Sequence, residues 1–533
     1  MRRDMTMKWA SQKFWPLFFF CVFLVFPFSS RATASETLLS PARSQIGTPL
    51  LPENQHFTQE KISESWMGVY MERIKVGYSV TQEFSLMRNG QRTRKILDKL
   101  WMRVSRLGGN PVELSTTQES LYDADGRPLE SVLRTRMSEN ETVIKAEIGQ
   151  DKIIFKSGDK IIKEFAYEEE VYFGTPIEKI IEENGLKSGH KYTFKILDFT
   201  TYSLVNTYFE VIGREDVLIL GKRLNLWHIR EKTDTVIPVS VDEWIDEKGN
   251  SLKSVSETGF VNLTAIQMPK EKAQALSEEN FDIAFSTLIK SNIILENPQE
   301  VQAVKFKLSG IPTERIKDLP FDERSQKILE LGKDYAIIQT TSQIFKEEEA
   351  VSLPIEIDEI QSFLKPTTFC QSDDPEIKKT AEKIIDGENN SWRAAKKIAE
   401  WMRKEMTSTY DIGFADAREV LRNRKGDCSE HTVLTVALLR AAGIPARAAV
   451  GIMYGEGIFA YHMWPEVYVG RWISLDSKWL AIDKKTGEHY TDATHIKLGQ
   501  SLLDENIFRE MAQAISEIIG KLKLEIVDYY QDK

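Results

Sequence analysis

Three cysteines in 533 residues are too few for a disulfide framework, and a chain this long buries a sufficient core without one. Beyond the N-terminal region, no apolar run approaches the roughly 20 residues a membrane-spanning helix needs. Glycine (29) and proline (18) are too sparse for a collagen-like or low-complexity chain. Positive charge is also in deficit: 70 Lys and Arg stand against 80 Asp and Glu, a net −10, which argues against a general binder of nucleic acid. What is present is an ordinary globular composition, with chain enough for three to four domains at roughly 150 residues each.

The N-terminus carries Arg2, Arg3, Lys8 and Lys13, then an apolar stretch over residues 14–28, then Ala32-Thr33-Ala34. This order predicts a secretory signal peptide over 1–34, cleaved near Ala34, and an exported, periplasmic protein. The stretch contains Pro16 and Pro27 and is short for a span, so an uncleaved anchor is the alternative; membrane contact is expected only in that case. Cys21 follows three phenylalanines, unlike the small-residue box before a lipid-modified cysteine. The cysteines left after cleavage are Cys370 and Cys428.

Residues 35–60 read as a polar linker. From 61 to 298 the texture is short strands rich in Val, Ile, Tyr and Thr, with turn signals at Asp125-Gly126 and Lys248-Gly249-Asn250. One antiparallel sheet or an open barrel is expected, with a helix over 270–290. His190 and His228 stand alone there and are assigned no chemistry. Residues 299–366 read as a connecting β layer, with strands at 301–308 and 335–339 and a solvated acidic patch at 346–349. A catalytic core is expected over 367–500, opening on Asp373-Asp374-Pro375, a helix start with Pro in the first turn, and continuing with helices at 375–386 and 391–406. A C-terminal helix and strand fill 501–533. The predicted class is therefore α+β.

The segment that carries chemistry begins at Lys425-Gly426-Asp427-Cys428-Ser429-Glu430-His431, enters an apolar helix, and leaves through Gly443-Ile444-Pro445-Ala446-Arg447, a strong helix stop. A cysteine opening a helix sits at the positive end of the macrodipole, which favours thiolate over thiol. Such a nucleophile needs a histidine, itself oriented by a carboxylate. His462 lies in the alternating strand Tyr461-His462-Met463-Trp464-Pro465-Glu466-Val467-Tyr468, and Asp476 ends Trp472-Ile473-Ser474-Leu475-Asp476. Cys428, His462 and Asp476 are thus the catalytic candidates, with Trp464 and Tyr468 as candidates for the wall of a substrate groove.

These motifs resemble the transglutaminase-like superfamily: Gly-x-Cys opening a helix, a Gly-Ile-Pro-Ala-Arg exit, His-x-Trp on one strand and Leu-Asp on the next. The resemblance is specific over about 390–480 and weaker at Asp373-Asp374-Pro375 and Asp492-Ala493-Thr494-His495. It implies a papain-like α+β core with Cys428, His462 and Asp476 as triad, acting by acyl transfer on a peptide or protein amide, with cell-envelope material one candidate, without cofactor or metal. Hydrolysis is favoured over cross-linking. Pro465 departs from the pattern and lacks a backbone donor, so its strand should be incompletely paired there.

Other readings stand beside this. Cys428 could be a buried free thiol, as Cys370 is expected to be. His431, one turn after Cys428, could rival His462 as the base, and Cys428, His431 and His462 could hold zinc, although they lack a closely spaced ligand pair. Asp427 and Glu430 are expected to serve the helix N-terminus. The chain could also be a non-catalytic envelope scaffold. Register supplies a geometric test: residue i pairing with 940 − i across a three-residue connection puts Met463, Val467, Ile473 and Leu475 on one face and Asp476 diagonal to His462, whereas 941 − i splits the core face.

Overall fold

A computed structural model of the chain describes residues 59–531 apart from 89–90, 106–110, 138–139, 200, 235–238, 258–261, 283–287, 323, 410–414, 505, 508–509, 512–517 and 519–520. The expected leader, Cys21, nearly all of the 35–60 linker and most of the helix expected after 501 lie outside the described residues. The chain divides into two compact units, an N-terminal one ending at Phe281 and a C-terminal one from Asp282, to which Ser105 also belongs.

In the N-terminal unit, fifteen strands form one sheet. Successive antiparallel hairpins run outward from Gln59–Met71 to Lys160–Ala166, and a second series runs from Asn262–Gln267 back to Lys191–Asp198. The two series join where Met67 pairs with Gln267, and Val171–Tyr172 adds a parallel edge strand, a departure from the all-antiparallel expectation. Both expected turns form, because Asp123 and Asp246 each accept two backbone N–H groups on their side chains. Toward the two ends of the sheet, Phe155 packs on Phe199 and Tyr202 at 5.6 and 5.4 Å, in one cluster with Ile153, Val171 and Leu197. The sheet curls until its ends share a core. His228 bonds to Asp242 at 2.6 Å and stacks on Trp244, a satisfied structural residue.

Among the described residues of the segment, the helix expected over 270–290 is confined to Lys270–Gln274. Ala275 is already extended, and the Ser277 hydroxyl accepts the Glu279 N–H, a local bond that competes with the helical ladder. Ile289–Lys290 then pairs with Ile458 and Phe459 and so belongs to the C-terminal unit.

That unit holds two principal sheets. One has the order Gln326–Leu331, Tyr335–Thr341, Val301–Ser309, Lys523–Gln531, so the 299–366 layer is completed by the last strand of the chain. The other runs Ile289–Lys290, Ile458–Tyr468, Ala446–Gly455, His495–Ser501, with Trp472–Ser474 added beside the second. Helices Pro375–Ile385 and Ser391–Glu405 start at Asp374 and Asn390, whose side chains each accept two backbone N–H groups. Helix Cys428–Ala441 is buried on every side from Cys428 to Arg440, with apolar Val433, Leu434, Val436, Ala437, Leu438 and Leu439 spread around its later turns. Its exit is fixed by the buried Arg440, which donates to the carbonyls of Lys365, Ala446 and Leu502.

The hairpin takes the 940 − i register: Glu466 pairs with Ser474, Val467 with Ile473 and Tyr468 with Trp472. Gly470 turns the chain at φ +122°, and Met463, Val467, Ile473 and Leu475 are all buried. The Leu475 N–H donates to the Pro465 carbonyl at 2.8 Å. The missing donor of Pro465 therefore faces the end of the short Trp472–Ser474 strand, where no further ladder is needed.

Candidate active site

Cys428 is the first residue of its helix and is buried. Asp427 caps that helix: its carboxylate accepts the Ser429 N–H at 2.7 Å while Glu430 reaches back to the Asp427 N–H at 3.0 Å. Burial, with the Asp427 charge beside it, pushes the Glu430 carboxyl well above its usual range. Both acidic residues are thus spent on ordering the turn that presents Cys428. One turn on, the Thr432 hydroxyl donates to the carbonyl of Met463 at 3.1 Å, tying the start of the helix to the residue that follows His462.

His462 bonds through Nε2 to Asp476 Oδ2 at 2.5 Å, with both side chains buried. Its ring stacks on Trp464 at 5.9 Å, and Trp464 is held in turn by donation from Nε1 to the Ser474 hydroxyl. Asp476 is fixed by its own N–H donating to Thr491 and by the Lys478 N–H donating to its Oδ1. Burial alone would raise the Asp476 carboxyl, but His462 and His495 together hold it well below the usual carboxylate range. Burial pushes the His462 ring down from its usual value, against the pull of Asp476.

Of the groove candidates, Trp464 lies against His462, whereas Tyr468 sits edge-on to Trp472 at 5.7 Å, farther along the strand. His431 is buried, and burial followed by the nearby Lys478 pushes it down to about 3. Neither of its ring nitrogens has a hydrogen-bond partner among the described residues. With no such hydrogen bond to orient its ring, unlike His462 with Asp476, His431 is a poor rival to it. Cys370 is a buried free thiol pushed up to about 11 by burial.

One site residue escaped assignment from sequence. His495 is buried at the start of its strand, with Nε2 3.4 Å from Asp476 Oδ2 and Nδ1 3.3 Å from Asp492 Oδ1. The Asp-Ala-Thr-His string marked it, but nothing in local spacing couples it to a carboxylate nineteen residues earlier. His462, Asp476 and His495 are also the one group among the described residues whose ligand atoms cluster, within 4.8 Å, as a metal site would require. The fit is poor. Two ligands on one tetrahedral zinc, each at about 2.0–2.1 Å, stand roughly 3.3 Å apart, and the 2.5 Å between His462 and Asp476 is a hydrogen bond.

Over residues 378–477 the sequence matches the transglutaminase-like superfamily. An uncharacterized protein of Haemophilus influenzae is 35% identical over 102 residues, a stretch covering 18% of this chain and 27% of that one, so this chain spans about a quarter of that relative. Among solved structures, a candidate cysteine protease from Cytophaga hutchinsonii aligns at TM-score 0.29 and 17% identity over 44% of this chain and 85% of its own. A β-barrel-like protein from Brucella abortus aligns at TM-score 0.30 and 12% identity over 38% and 95%. At such scores these two likenesses carry no argument. Residues 378–477 of this chain are a transglutaminase-like superfamily core.

Proposed function

We propose that the chain is an exported thiol hydrolase of peptide or protein amides, with a papain-like triad of Cys428, His462 and Asp476. The Cys428 thiolate attacks the carbonyl carbon, forming a C–S bond. His462 gives its proton to the leaving amine as the C–N bond breaks, and a thioester remains. Water then attacks the thioester, passing a proton to His462, and the carboxylic acid leaves as the thiolate is restored. Asp476 holds the imidazole in one orientation and stabilises its charged form. In this reading the Cys428 backbone N–H, in the first turn of the helix, receives the oxyanion.

The observation that carries this reading is the buried 2.5 Å bond between His462 and Asp476, on a strand tied to the first turn of the Cys428 helix. Labelling with a thiol-reactive electrophile and mass mapping, followed by a panel of amide substrates, tests it. Modification at Cys428 with release of amine supports the reading; labelling without turnover of any amide or ester moves the assignment to a scaffold.

A further inference from the structure

His495 completes a chain of four side chains, His462, Asp476, His495 and Asp492. Asp476 Oδ2 is approached from one side by His462 at 2.5 Å and from another by His495 at 3.4 Å. The second nitrogen of His495 faces Asp492, 3.3 Å from both its Oδ1 and its carbonyl oxygen. That Oδ1 already accepts the Thr494 N–H at 2.7 Å and the Thr494 hydroxyl at 2.5 Å. Both ring nitrogens of His495 therefore face oxygens that only accept. A neutral imidazole can donate to one of them and must turn a lone pair toward the other. Only the imidazolium satisfies both.

We propose that His495 is a positioning residue of the triad, a buried imidazolium that pins Asp476 against His462 and, through its charge, sets how readily His462 releases its proton. The Trp464 ring stands 5.1 Å from His495 and 5.9 Å from His462, so the two imidazoles are held about one aromatic wall. Burial opposes the charge on His495, but Asp492 and Asp476 push it up to about 9. The charges facing this cluster are Asp476 and Asp492 on His495 and Lys478 on the His462 side, where His431 also faces it as a neutral ring. The strand's next outward charge, Lys497, is neutralised by Glu466 at 2.6 Å, a carboxylate shared with Arg447. With the carboxylate of Asp476 shared, the His462 imidazolium is a stronger acid toward the leaving amine than an unshared pair would make it.

This rests on the acyl-transfer reading above, and the test separates the two. Iodoacetamide alkylation of Cys428 is followed against pH in wild type, His462→Ala, His495→Gln and His495→Ala. In wild type, the upper step of that profile reports loss of the His462 proton. His495→Gln keeps a donor and loses the charge, so the step should move up by about one pH unit with the neutral-pH rate largely kept. His495→Ala should lose about tenfold in rate, and Gln should restore most of it. A proton NMR titration of the wild type supplies a second measurement: the His495 ring should stay charged through neutral pH. If His462→Ala leaves alkylation unchanged, the acyl-transfer reading fails. If His462→Ala slows it but the step stays put in His495→Gln, or His495 is neutral at neutral pH, the positioning role alone is wrong.

Discussion

Gly451 lies directly opposite His462 across the sheet, and the outer edge of the Trp464 ring covers it. A Cβ at Gly451 would stand 2.7 Å from Trp464 Cη2 and 2.1 Å from the carbonyl oxygen of Ile496. Both contacts are far inside van der Waals separation, and the second is with backbone, which cannot rotate away. The bare backbone at 451 is what allows the indole to lie flat beside the His462 imidazole.

Gly451→Ala should therefore cost stability at the upper end of the usual overpacking range, about 3 kcal/mol, and reduce activity beyond what the folded fraction explains. Paired thermal melts and active-site titration check this. Full activity per folded molecule would show that the Trp464 position is irrelevant to His462.

His431 is held neutral in the fold down to about 3, while an unfolded histidine takes a proton near 6.5. Between those values the unfolded state binds the extra proton, so stability should fall as pH drops from about 6.5 toward 3, with this site contributing about 1.4 kcal/mol per pH unit. His495 has the opposite sign. Its stabilising contribution is complete below about 6.5 and is lost as pH rises through about 9. Denaturant titrations across pH should show His431→Leu flattening the acid limb and His495→Gln flattening the alkaline one; unchanged limbs would place the titrating groups elsewhere.

Cys428 should alkylate faster than Cys370 at every pH from 5 to 9, because a helix N-terminus favours its thiolate, whereas burial pushes the Cys370 thiol up to about 11. His462→Ala should slow the reaction at neutral pH, and His431→Gln should change it little, since His431 carries no charge there. Equal rates for the two cysteines would leave Cys428 an ordinary buried thiol.

For the leader, N-terminal sequencing of exported material should begin at Ser35. Recovery of full-length chain in the membrane fraction would favour the anchor.

What the sequence disclosed and what it hid divide along the range of the interactions. Alternation decides between the 941 − i and 940 − i registers of a short connection, because of those two only 940 − i puts Met463, Val467, Ile473 and Leu475 on the same face. The helix starts at Asp374 and Asp427 follow from side chains that cap their own next turn. Long-range pairings left no such trace. Nothing around residues 523–531 announces that this strand completes a sheet with Val301–Ser309, more than two hundred residues earlier. His495 was visible as a residue but not as a partner: the hairpin formed by Leu480–Ile482 and His489–Thr491 intervenes before the chain returns to Asp476. The 270–290 segment erred the other way, its Ala and Leu spacing outweighed by a serine that bonds its own backbone.

The most direct test of the whole account is turnover by Cys428→Ala on any amide or ester that the wild-type protein processes. The nucleophile assignment predicts loss of at least about a thousandfold, with the fold retained by circular dichroism and no thioester trapped by mass spectrometry. Full turnover by that variant would contradict it.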